Sequence, residues 1–388
     1  MPPRFIAFFA VLTTVIFAVH GYLGWRLVGP SGLTGIARAL AWGAVVAYAL
    51  LLLFTFTARF MLPKGNVADV VSWVGFTAMG LFSFVLTFTV LRDLGWLIAK
   101  AASTLPADPV RRQSLLHLTN LVVLGGSSAL VGLGVMGARR RAAVVDVVVP
   151  IKDLPAALEG FTIVQLTDIH VGPTIKKGYI DAIVDGVNEL DADMVAITGD
   201  VVDGSVLDLG AHTAPLGRLK GKHGVFFCTG NHEYYSGCDE WCAEFARLGL
   251  QPLMNAHVVV NHGGEDVVVA GVTDFNAGAV IPEHTSDPQR AIQGAPSSSK
   301  LKILLAHQPR SVFAAVDCGY DLQLSGHTHG GQFFPWIFMV RLQQPFNAGL
   351  TRMKDLWIYT SRGTGYWGPP VRVGAPSEIT RLRMTRAV

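Results

Sequence analysis

Long apolar stretches fill the first part of the chain, up to about residue 140. Four of them are about 20 residues long, and they occupy positions 5–23, 39–57, 70–90 and 115–136. At about 1.5 Å per residue, a helix of this length crosses a bilayer core roughly 30 Å thick. Basic and aromatic residues flank these stretches, as is usual at membrane interfaces. The pattern predicts a transmembrane region of about four helices within residues 1–141.

After residue 141 the apolar runs become short and rich in β-branched residues. Five of these runs end one or two residues before an Asp, Asn or His, and they occupy positions 161–166, 194–198, 225–229, 302–306 and 321–325. Such runs are typical of buried central strands. Residues 175–190 carry apolar positions at helical spacing, and strand–helix–strand order requires an at least partly parallel sheet. Residues 257–261 and 266–271 resemble a hairpin, which indicates a second, more antiparallel sheet. Residues 142–388 are therefore predicted to form an α/β domain.

Composition supports this division of the chain. Of the 388 residues, 51% are hydrophobic and 15% are charged, and the mean hydropathy is +0.41. These values are too apolar for an ordinary soluble enzyme, so part of the chain is expected in lipid. The net charge of +3 gives no electrostatic reason to expect a nucleic-acid partner. The four cysteines include no Cys-x-x-Cys pair, which favours packing or free thiols over a zinc site.

Four spans place both ends of the transmembrane region on the same side of the membrane. In either orientation six flanking basic residues face the cytoplasm, with Arg4 and Arg59 in one of the two sets, so charge alone selects neither side. Arg111 and Arg112 resemble a bacterial twin-arginine export signal, whereas the three arginines at 139–141 favour the cytoplasm. The export signal favours a multi-pass protein of the bacterial cytoplasmic (inner) membrane with residues 142–388 on the outer side.

Metal-binding residue types follow each of the five predicted strands. They are Asp168 and His170, Asp200 and Asp203, Asn231 and His232, His307, and His327 and His329. Ligand sites in open α/β sheets form beyond the carboxyl ends of the strands, so these side chains are expected to converge. They suffice for two divalent cations about 3.5–4 Å apart, a pair that can clamp a phosphate. Asp200 is the natural bridge because a carboxylate has two oxygens, and the mixed ligands suit Mn, Fe or Zn. The sequence predicts metal-dependent hydrolysis of a phosphoric ester.

With these motifs, residues 161–385 resemble the calcineurin-like metallophosphoesterases, whose five motif blocks all occur here in order. The resemblance implies the family's double β-sheet sandwich flanked by helices. It implies that Asp168, His170, Asp200 and His329 hold one cation, and that Asp200, Asn231, His307 and His327 hold the other. It also implies that His232 is catalytic and stabilises or protonates the leaving group, with Asp203 orienting its imidazole. The motifs at 326–332 and 361–365, together with the four spans, are similar to a membrane-linked bacterial branch of the family.

Two arginines and one apolar segment outside these motifs are candidates for substrate contact. Arg310 and Arg362 are predicted to bind the substrate phosphate, because a guanidinium binds oxyanions in a bidentate manner. A surface or structural salt bridge is the alternative for both. Residues 333–340 are too short to span a membrane, and they are predicted to line an acyl-chain pocket or to enter the bilayer interface. The alternative for this segment is a buried strand or loop.

These patterns together predict a membrane-bound dimetal phosphoesterase that hydrolyses a phosphodiester, a pyrophosphate or a phosphomonoester. A membrane-tied enzyme has access to lipid substrates, and UDP-diacylglucosamine is a lipid-linked precedent within the family. The alternative is a membrane transporter or sensor with a regulatory metal-binding domain. It is disfavoured because the predicted spans contain no Asp, Glu, Lys or Arg, which usually mark an intramembrane pathway. The sequence does not predict the oligomeric state.

Overall fold

The structure is a computed structural model that describes residues 3–62 and 64–387. Residues 1, 2, 63 and 388 of the two predicted regions lie outside the described residues, as do the side chains of Arg4 and Arg59. The chain divides into two compact units. One comprises residues 1–136 with 368–371, and the other residues 137–367 with 372–388. The domain boundary between residues 141 and 142 stays a prediction.

The first unit is helical. Its helices are α1 (Pro3–Leu27), α2 (Gly35–Met61), α3 (Asn66–Ala101) and α4 (Pro109–Arg139). All four contain a stretch long and apolar enough to cross a membrane, which confirms the four predicted helices as candidate spans. With 36 residues, α3 continues beyond the predicted stretch at 70–90. Hydropathy marks only the apolar part of a helix, so it does not show where the helix ends.

One ion-pair cluster joins α1 to α3. Asp93 pairs with Arg26 at 2.6 Å and with Arg92 at 2.8 Å, and it accepts a hydrogen bond from Tyr22 Oη at 2.7 Å. Charges close to lipid are costly and are usually paired in this way. Its charged residues, Arg26, Arg92 and Asp93, lie outside the predicted apolar spans at 5–23 and 70–90, so the cluster does not place a charge in the middle of one.

The second unit contains two six-stranded sheets. The first consists, in spatial order, of β1 (Ala143–Ile151), β12 (Glu378–Arg386), β2 (Thr162–Leu166), β3 (Met194–Thr198), β4 (Val225–Cys228) and β5 (Gln251–Pro252). The second consists, in spatial order, of β10 (Gly349–Met353), β11 (Leu356–Thr360), β9 (Leu322–Ser325), β8 (Leu301–Leu305), β7 (Glu265–Gly271) and β6 (Ala256–His262). The helices of this unit are α5 (Lys177–Asn188), α6 (Val206–Thr213), α7 (Asn231–Ser236), α8 (Cys238–Arg247), α9 (Pro288–Ala291), α10 (Val312–Ala315) and α11 (Trp336–Met339). The predicted double-sheet α/β domain is confirmed.

Strand pairing agrees with the secondary structure expected from the sequence. The five predicted strands that lead to candidate ligands are β2, β3, β4, β8 and β9, and their ends differ from the prediction by at most one residue. β2, β3 and β4 are parallel, with α5 between β2 and β3 along the chain. β6 and β7 form the predicted antiparallel hairpin. β7, β8 and β9 are parallel, so the second sheet is mixed and the ligand-bearing strands are divided between both sheets.

Neighbouring residues of the central strands pack into two different cores. Ile163 and Phe226 belong to a core shared with Ile303 of the other sheet. Val164 and Phe227 belong to a core that contains apolar residues of α5 and α8. Because both faces of these strands are buried, their sequences are continuous apolar runs without alternation. Each large side chain buried in this way contributes about 1.5–3 kcal/mol, so the strands that lead to the candidate ligands are firmly held.

Candidate metal centre

The predicted ligands lie where strands of both sheets end. They are Asp168 and His170 after β2, Asp200 after β3, Asn231 after β4, His307 after β8, and His327 and His329 after β9. The loops that carry them approach one another closely. A side chain at Gly326 would collide with Asp168, and one at Gly230 would collide with Asp200. Glycine at these two positions lets the ligands of different strands come together.

Several of the predicted ligands have a left-handed backbone conformation. They are Asp168, His170, Asp200, His327 and His329, with φ values of 53°, 55°, 53°, 69° and 51°. Such conformations are uncommon for residues other than glycine, although Asp and His tolerate them better than most, and each costs about 1–3 kcal/mol. Backbone hydrogen bonds hold them, among them His170 N to Asp200 O at 3.1 Å. Strain of this kind clusters at functional sites, where the surrounding structure enforces it.

Asp168, His170 and His329 form a first ligand group. His170 Nε2 lies 3.0 Å from His329 Nε2, which in turn lies 3.4 Å from Asp168 Oδ1. Two imidazole nitrogens at this distance can share either one proton or one cation. Atoms bound to one metal at about 2.1 Å lie roughly 3.0–3.4 Å apart in octahedral or tetrahedral geometry. The spacing of the group therefore fits a single cation.

Asp200, His307 and His327 form a second ligand group. His307 Nε2 lies 3.1 Å from Asp200 Oδ2 and 3.2 Å from His327 Nδ1. The other ring nitrogen of His307 donates to the carbonyl of Thr198 at 2.8 Å, which directs Nε2 towards the group. Asp200 Oδ2 also lies 3.9 Å from His170 Nε2 of the first group. The Asp200 carboxylate thus stands between the two groups, as the predicted bridging role requires.

Asn231, between Gly230 and His232 after β4, has a side-chain oxygen without a protein partner among the described residues. Its Oδ1 atom is buried and makes no hydrogen bond to any of the described residues. Leaving a buried polar atom unpaired is costly, and such an atom calls for a partner. A bound cation would be that partner, so the donor set as a whole fits metal ions.

The neighbouring Glu233 joins the loops that follow β3 and β4. Its carboxylate accepts backbone N–H groups from Gly230 at 2.6 Å, from Val201 at 2.7 Å and from Asp200 at 3.0 Å. Glu233 therefore fixes the backbone of the two loops that supply Asp200 and Asn231. Burial, reinforced by the charge of Asp200, raises the pKa of Glu233 to about 7, and the hydrogen bonds from Gly230 and Val201 oppose this rise.

His232 and His170 share the carboxylate of Asp203. His232 Nδ1 donates to Asp203 Oδ1 at 2.5 Å, and His170 Nδ1 lies 3.2 Å from the same oxygen. With both Nδ1 atoms engaged, each ring directs Nε2 into the site. His232 Nε2 lies 4.0 Å from Asp200 Oδ2. The geometry is the one that an orienting role for Asp203 requires.

Burial and neighbouring charges separate the protonation states of the histidines. Burial lowers the pKa of His232, but the carboxylates of Asp200 and Asp203 outweigh it and raise the pKa to about 9. Burial, reinforced by the positive charge of His307, lowers the pKa of His327 to about 3. His327 is thus a neutral imidazole with a lone pair for a metal, whereas His232 carries a proton that it can donate.

The two arginines predicted to contact substrate both have protein partners. Arg362 Nη2 pairs with the buried Glu378 Oε2 at 2.8 Å, as expected for the structural salt-bridge alternative. Arg310 Nη2 donates to the carbonyl of Gln343 at 2.8 Å. Its positive charge also contributes to lowering the pKa of His327. A substrate-binding role for either arginine stays a prediction.

Sequence reasoning missed Arg372, which is buried beside a predicted ligand. Arg372 Nη2 lies 3.1 Å from His329 Nδ1, and the guanidinium also donates to the carbonyls of Gly365 and Ala375. Burial lowers the pKa of His329 well below its usual range, and the charges of His170 and Arg372 reinforce this effect. Arg372 lies in none of the motifs, so only the folded structure reveals its position.

Two exposed aromatic residues beside His232 were also missed. The ring centres of Tyr235 and Trp367 lie 5.4 Å and 5.5 Å from that of His232, and the two residues are 65% and 54% exposed. Gln332 fixes Trp367, because its side chain hydrogen-bonds the backbone N–H of Trp367 at 3.0 Å and its carbonyl at 3.1 Å. Tyr235 and Trp367 form an open aromatic rim next to His232.

The apolar segment 333–340 forms the short helix α11 and its flanks. Phe333 is buried, whereas Trp336 and Phe338 are 48% and 61% exposed. The alternative of a buried strand or loop is therefore wrong for most of the segment, because a single-turn helix leaves its apolar side chains at the surface. Whether this surface contacts an acyl chain or the bilayer interface stays a prediction.

Comparison with known proteins points to one family. Residues 161–331 match the family model described as calcineurin-like phosphoesterase. A Danio rerio protein named as a transmembrane protein with metallophosphoesterase domain is 36% identical over 330 residues, which cover 81% of this chain and 74% of that protein. A Bos taurus protein of the same name is 35% identical over 367 residues, which cover 89% of this chain and 81% of that protein. An uncharacterized metallophosphoesterase of Helicobacter pylori is 40% identical over 240 residues, which cover 60% of this chain and 63% of that protein.

The aligned lengths of the two vertebrate proteins, 330 and 367 residues, exceed the length of the region 142–388, so the similarity extends into the apolar helices. The identity and coverage of these relatives agree with the family model and with the order of the motifs along the chain. The chain is therefore a membrane protein that belongs to the calcineurin-like phosphoesterase family.

Proposed function

We propose that this protein is a phosphoesterase that acts with two divalent cations. The observation that carries the proposal is the pair of ligand groups that meet at Asp200, next to the unpaired oxygen of Asn231. One cation would be held by Asp168, His170, Asp200 and His329, and the other by Asp200, Asn231, His307 and His327. This mixture of imidazole, carboxylate and amide ligands suits Mn, Fe or Zn. When bound, the cations supply Lewis acidity and offset the charge of the phosphoryl group.

His232 would act as the general acid in this reaction. Its raised pKa keeps it protonated at neutral pH, and Asp203 holds Nδ1 so that the second proton is presented at Nε2. A cation bound to Asp200 would cancel the contribution of Asp200 to the raised pKa of His232, whereas the contribution of Asp203 would remain. Proton donation to the leaving oxygen avoids release of an alkoxide, an effect typically worth about 10²–10⁴ in rate.

The substrate that we propose is a phosphodiester, pyrophosphate or phosphomonoester with an apolar or lipid part. Trp336 and Phe338, exposed after the loop that carries His327 and His329, support this choice, because exposed apolar patches often mark lipid or ligand contacts. UDP-diacylglucosamine is one example of such a substrate. The four apolar helices would keep the enzyme at the membrane, where lipid substrates are concentrated.

We place the protein in the bacterial cytoplasmic membrane with residues 142–388 on the outer side. UDP-diacylglucosamine is cytoplasmic, so it would require the opposite orientation. Protease treatment of spheroplasts and of inverted vesicles separates the two arrangements. Digestion of the phosphoesterase region only in inverted vesicles would reverse the orientation proposed here and would favour a cytoplasmic substrate.

The activity is tested with the full-length protein in detergent, on a chromogenic phosphodiester and a chromogenic monoester, with Mn, Zn or Fe(II). We expect metal-dependent turnover that Asp200→Ala abolishes and that the exposed control substitution Asp355→Ala preserves. Binding of two cations without turnover on these or on lipid esters would contradict the proposal. That result would favour the alternative of a transporter or sensor with a regulatory metal-binding domain.

A further inference from the structure

A second cluster of metal-ligating side chains lies at the start of α8, outside the candidate metal centre. It contains Cys238 and Asp239 from the first turn of α8 and His284 from a distant loop. One ligand atom from each of the three residues lies within 4.8 Å of the other two. Cys238 is buried, whereas Asp239 is exposed, so the cluster opens towards solvent on the carboxylate side.

The imidazole of His284 is oriented as a metal ligand would be. Its Nδ1 atom lies 3.1 Å from the hydroxyl of Tyr234, and its Nε2 atom lies 3.8 Å from Asp239 Oδ1. Metal-binding histidines usually engage their second ring nitrogen with a neighbouring polar group, which fixes the ring. Ligands of a tetrahedral zinc lie about 3.3–3.8 Å apart, given bonds of roughly 2.0–2.3 Å. The nitrogen and the carboxylate oxygen therefore need little movement to share one cation.

A second sulfur is available on the same face of α8. Cys242 lies one turn after Cys238, and residues four apart on a helix are neighbours. Cys242 Sγ also lies 3.7 Å from Met254 Sδ. The three-residue group does not include Cys242, so the Cys242 side chain must turn away from Met254 before two thiols, an imidazole and a carboxylate can form a tetrahedral donor set.

We propose that Cys238, Cys242, Asp239 and His284 bind one zinc ion, or a similar thiophilic divalent cation. Thiolate and imidazole ligands favour zinc over the harder cations that oxygen-rich sites prefer. On binding, each thiol releases its proton to solvent and the thiolate sulfur coordinates the cation. The ion links α8 to the loop at 282–284. Tyr234, which contacts His284, belongs to α7, the helix that also carries Asn231 and His232, so the ion steadies the helix beside the candidate metal centre.

Cobalt binding to the full-length protein in detergent tests the proposal. The metal-free protein is titrated with Co²⁺, because thiolate-bound cobalt gives an intense charge-transfer band in the near ultraviolet. The residues proposed for the phosphoesterase centre supply only nitrogen and oxygen, so they contribute no such band. We expect the band to reach the amplitude of one thiolate-bound Co²⁺ per chain and to persist in Asp200→Ala. Its presence or absence is thus independent of phosphoesterase activity.

Matched variants identify the ligands. The double variant Cys238→Ser with Cys242→Ser is expected to abolish the band, and each single variant to lower its intensity by about half, whereas Cys318→Ser, at a cysteine outside the cluster, should leave it unchanged. If Cys238→Ser does not fold, His284→Ala and Asp239→Asn test the proposal instead, because these side chains are more exposed. Each of these two substitutions should weaken Co²⁺ binding at least tenfold. Tyr234→Phe should weaken it about 10- to 100-fold, as loss of an outer hydrogen bond commonly does. The proposal would be overturned if the parent protein shows no band, or if His284→Ala and Asp239→Asn bind Co²⁺ with the same affinity as the parent.

Discussion

Replacing Glu233 tests whether one carboxylate holds the loops after β3 and β4 in place. Glu233 is fully buried, and it accepts three backbone N–H groups at 2.6–3.0 Å. Glu233→Ala leaves all three donors buried without a partner. Each unpaired donor costs about 1–3 kcal/mol, and the costs are not additive because one carboxylate serves all three. We therefore expect Glu233→Ala to lower the free energy of unfolding by roughly 3–5 kcal/mol.

Glu233→Gln separates the loss of hydrogen bonds from the loss of volume. The amide keeps one accepting oxygen but turns an NH₂ group towards a donor, so we expect an intermediate loss of about 1–3 kcal/mol. For a domain of this size each kcal/mol shifts Tm by about 2–4 °C. Thermal unfolding of the full-length protein in detergent should show a Tm lower by roughly 6–20 °C for the alanine variant. Glu189→Gln, at an exposed position, is the control. If Glu233→Ala unfolds within 2 °C of the parent, these hydrogen bonds do not hold the loops.

Asp203→Asn should lower kcat on a chromogenic ester by about 10- to 100-fold and shift the alkaline limb of the pH–rate profile to lower pH, because His232 loses its anionic partner. An unchanged profile would rule out this coupling. Burial raises the pKa of Asp321 to about 6, although a hydrogen bond from the backbone N–H of Lys302 opposes this rise. The stability that the protonated Asp321 side chain contributes is therefore present below about pH 4 and is lost as the pH rises to 6. Asp321→Asn should therefore gain up to about 3 kcal/mol relative to the parent between pH 4 and 7, and parallel Tm curves would contradict this. Trp336→Ser with Phe338→Ser should impair hydrolysis of lipid esters in vesicles, and an equal loss on a soluble ester would refute the lipid contact.

Local sequence patterns predict the strands and most of the residues that converge. β3 is predicted at the residues where it occurs, because all five of its positions are buried and form one continuous run. Asp168 and Asp200 are predictable because a polar residue directly after such a run lies at the carboxyl end of its strand. The sequence does not show that β8 and β9 belong to the second sheet. The structure shows that the candidate ligands come from two sheets, whereas their positions after predicted strands are equally compatible with one sheet.

Contacts between distant segments could not be predicted from these patterns. Arg372 reaches His329 across 43 positions, and Trp367 reaches His232 from a position just outside the motif at 361–365. The pairing of β1 with β12 likewise joins residues about 235 positions apart, such as Asp146 and Arg381. A single sequence shows which residues tend to be buried, but it does not show which partner each of them meets.

The position of β12 has a consequence for biosynthesis. β12 lies between β1 and β2 in the first sheet, although every other described strand precedes it along the chain. While the ribosome is still translating, β2 has one edge without a partner, and an open edge invites association with other chains. The apolar helices emerge much earlier, so they have time to enter the bilayer before β12 is made. The order of the elements along the chain therefore allows the helices to enter the membrane while the β2 edge is still open.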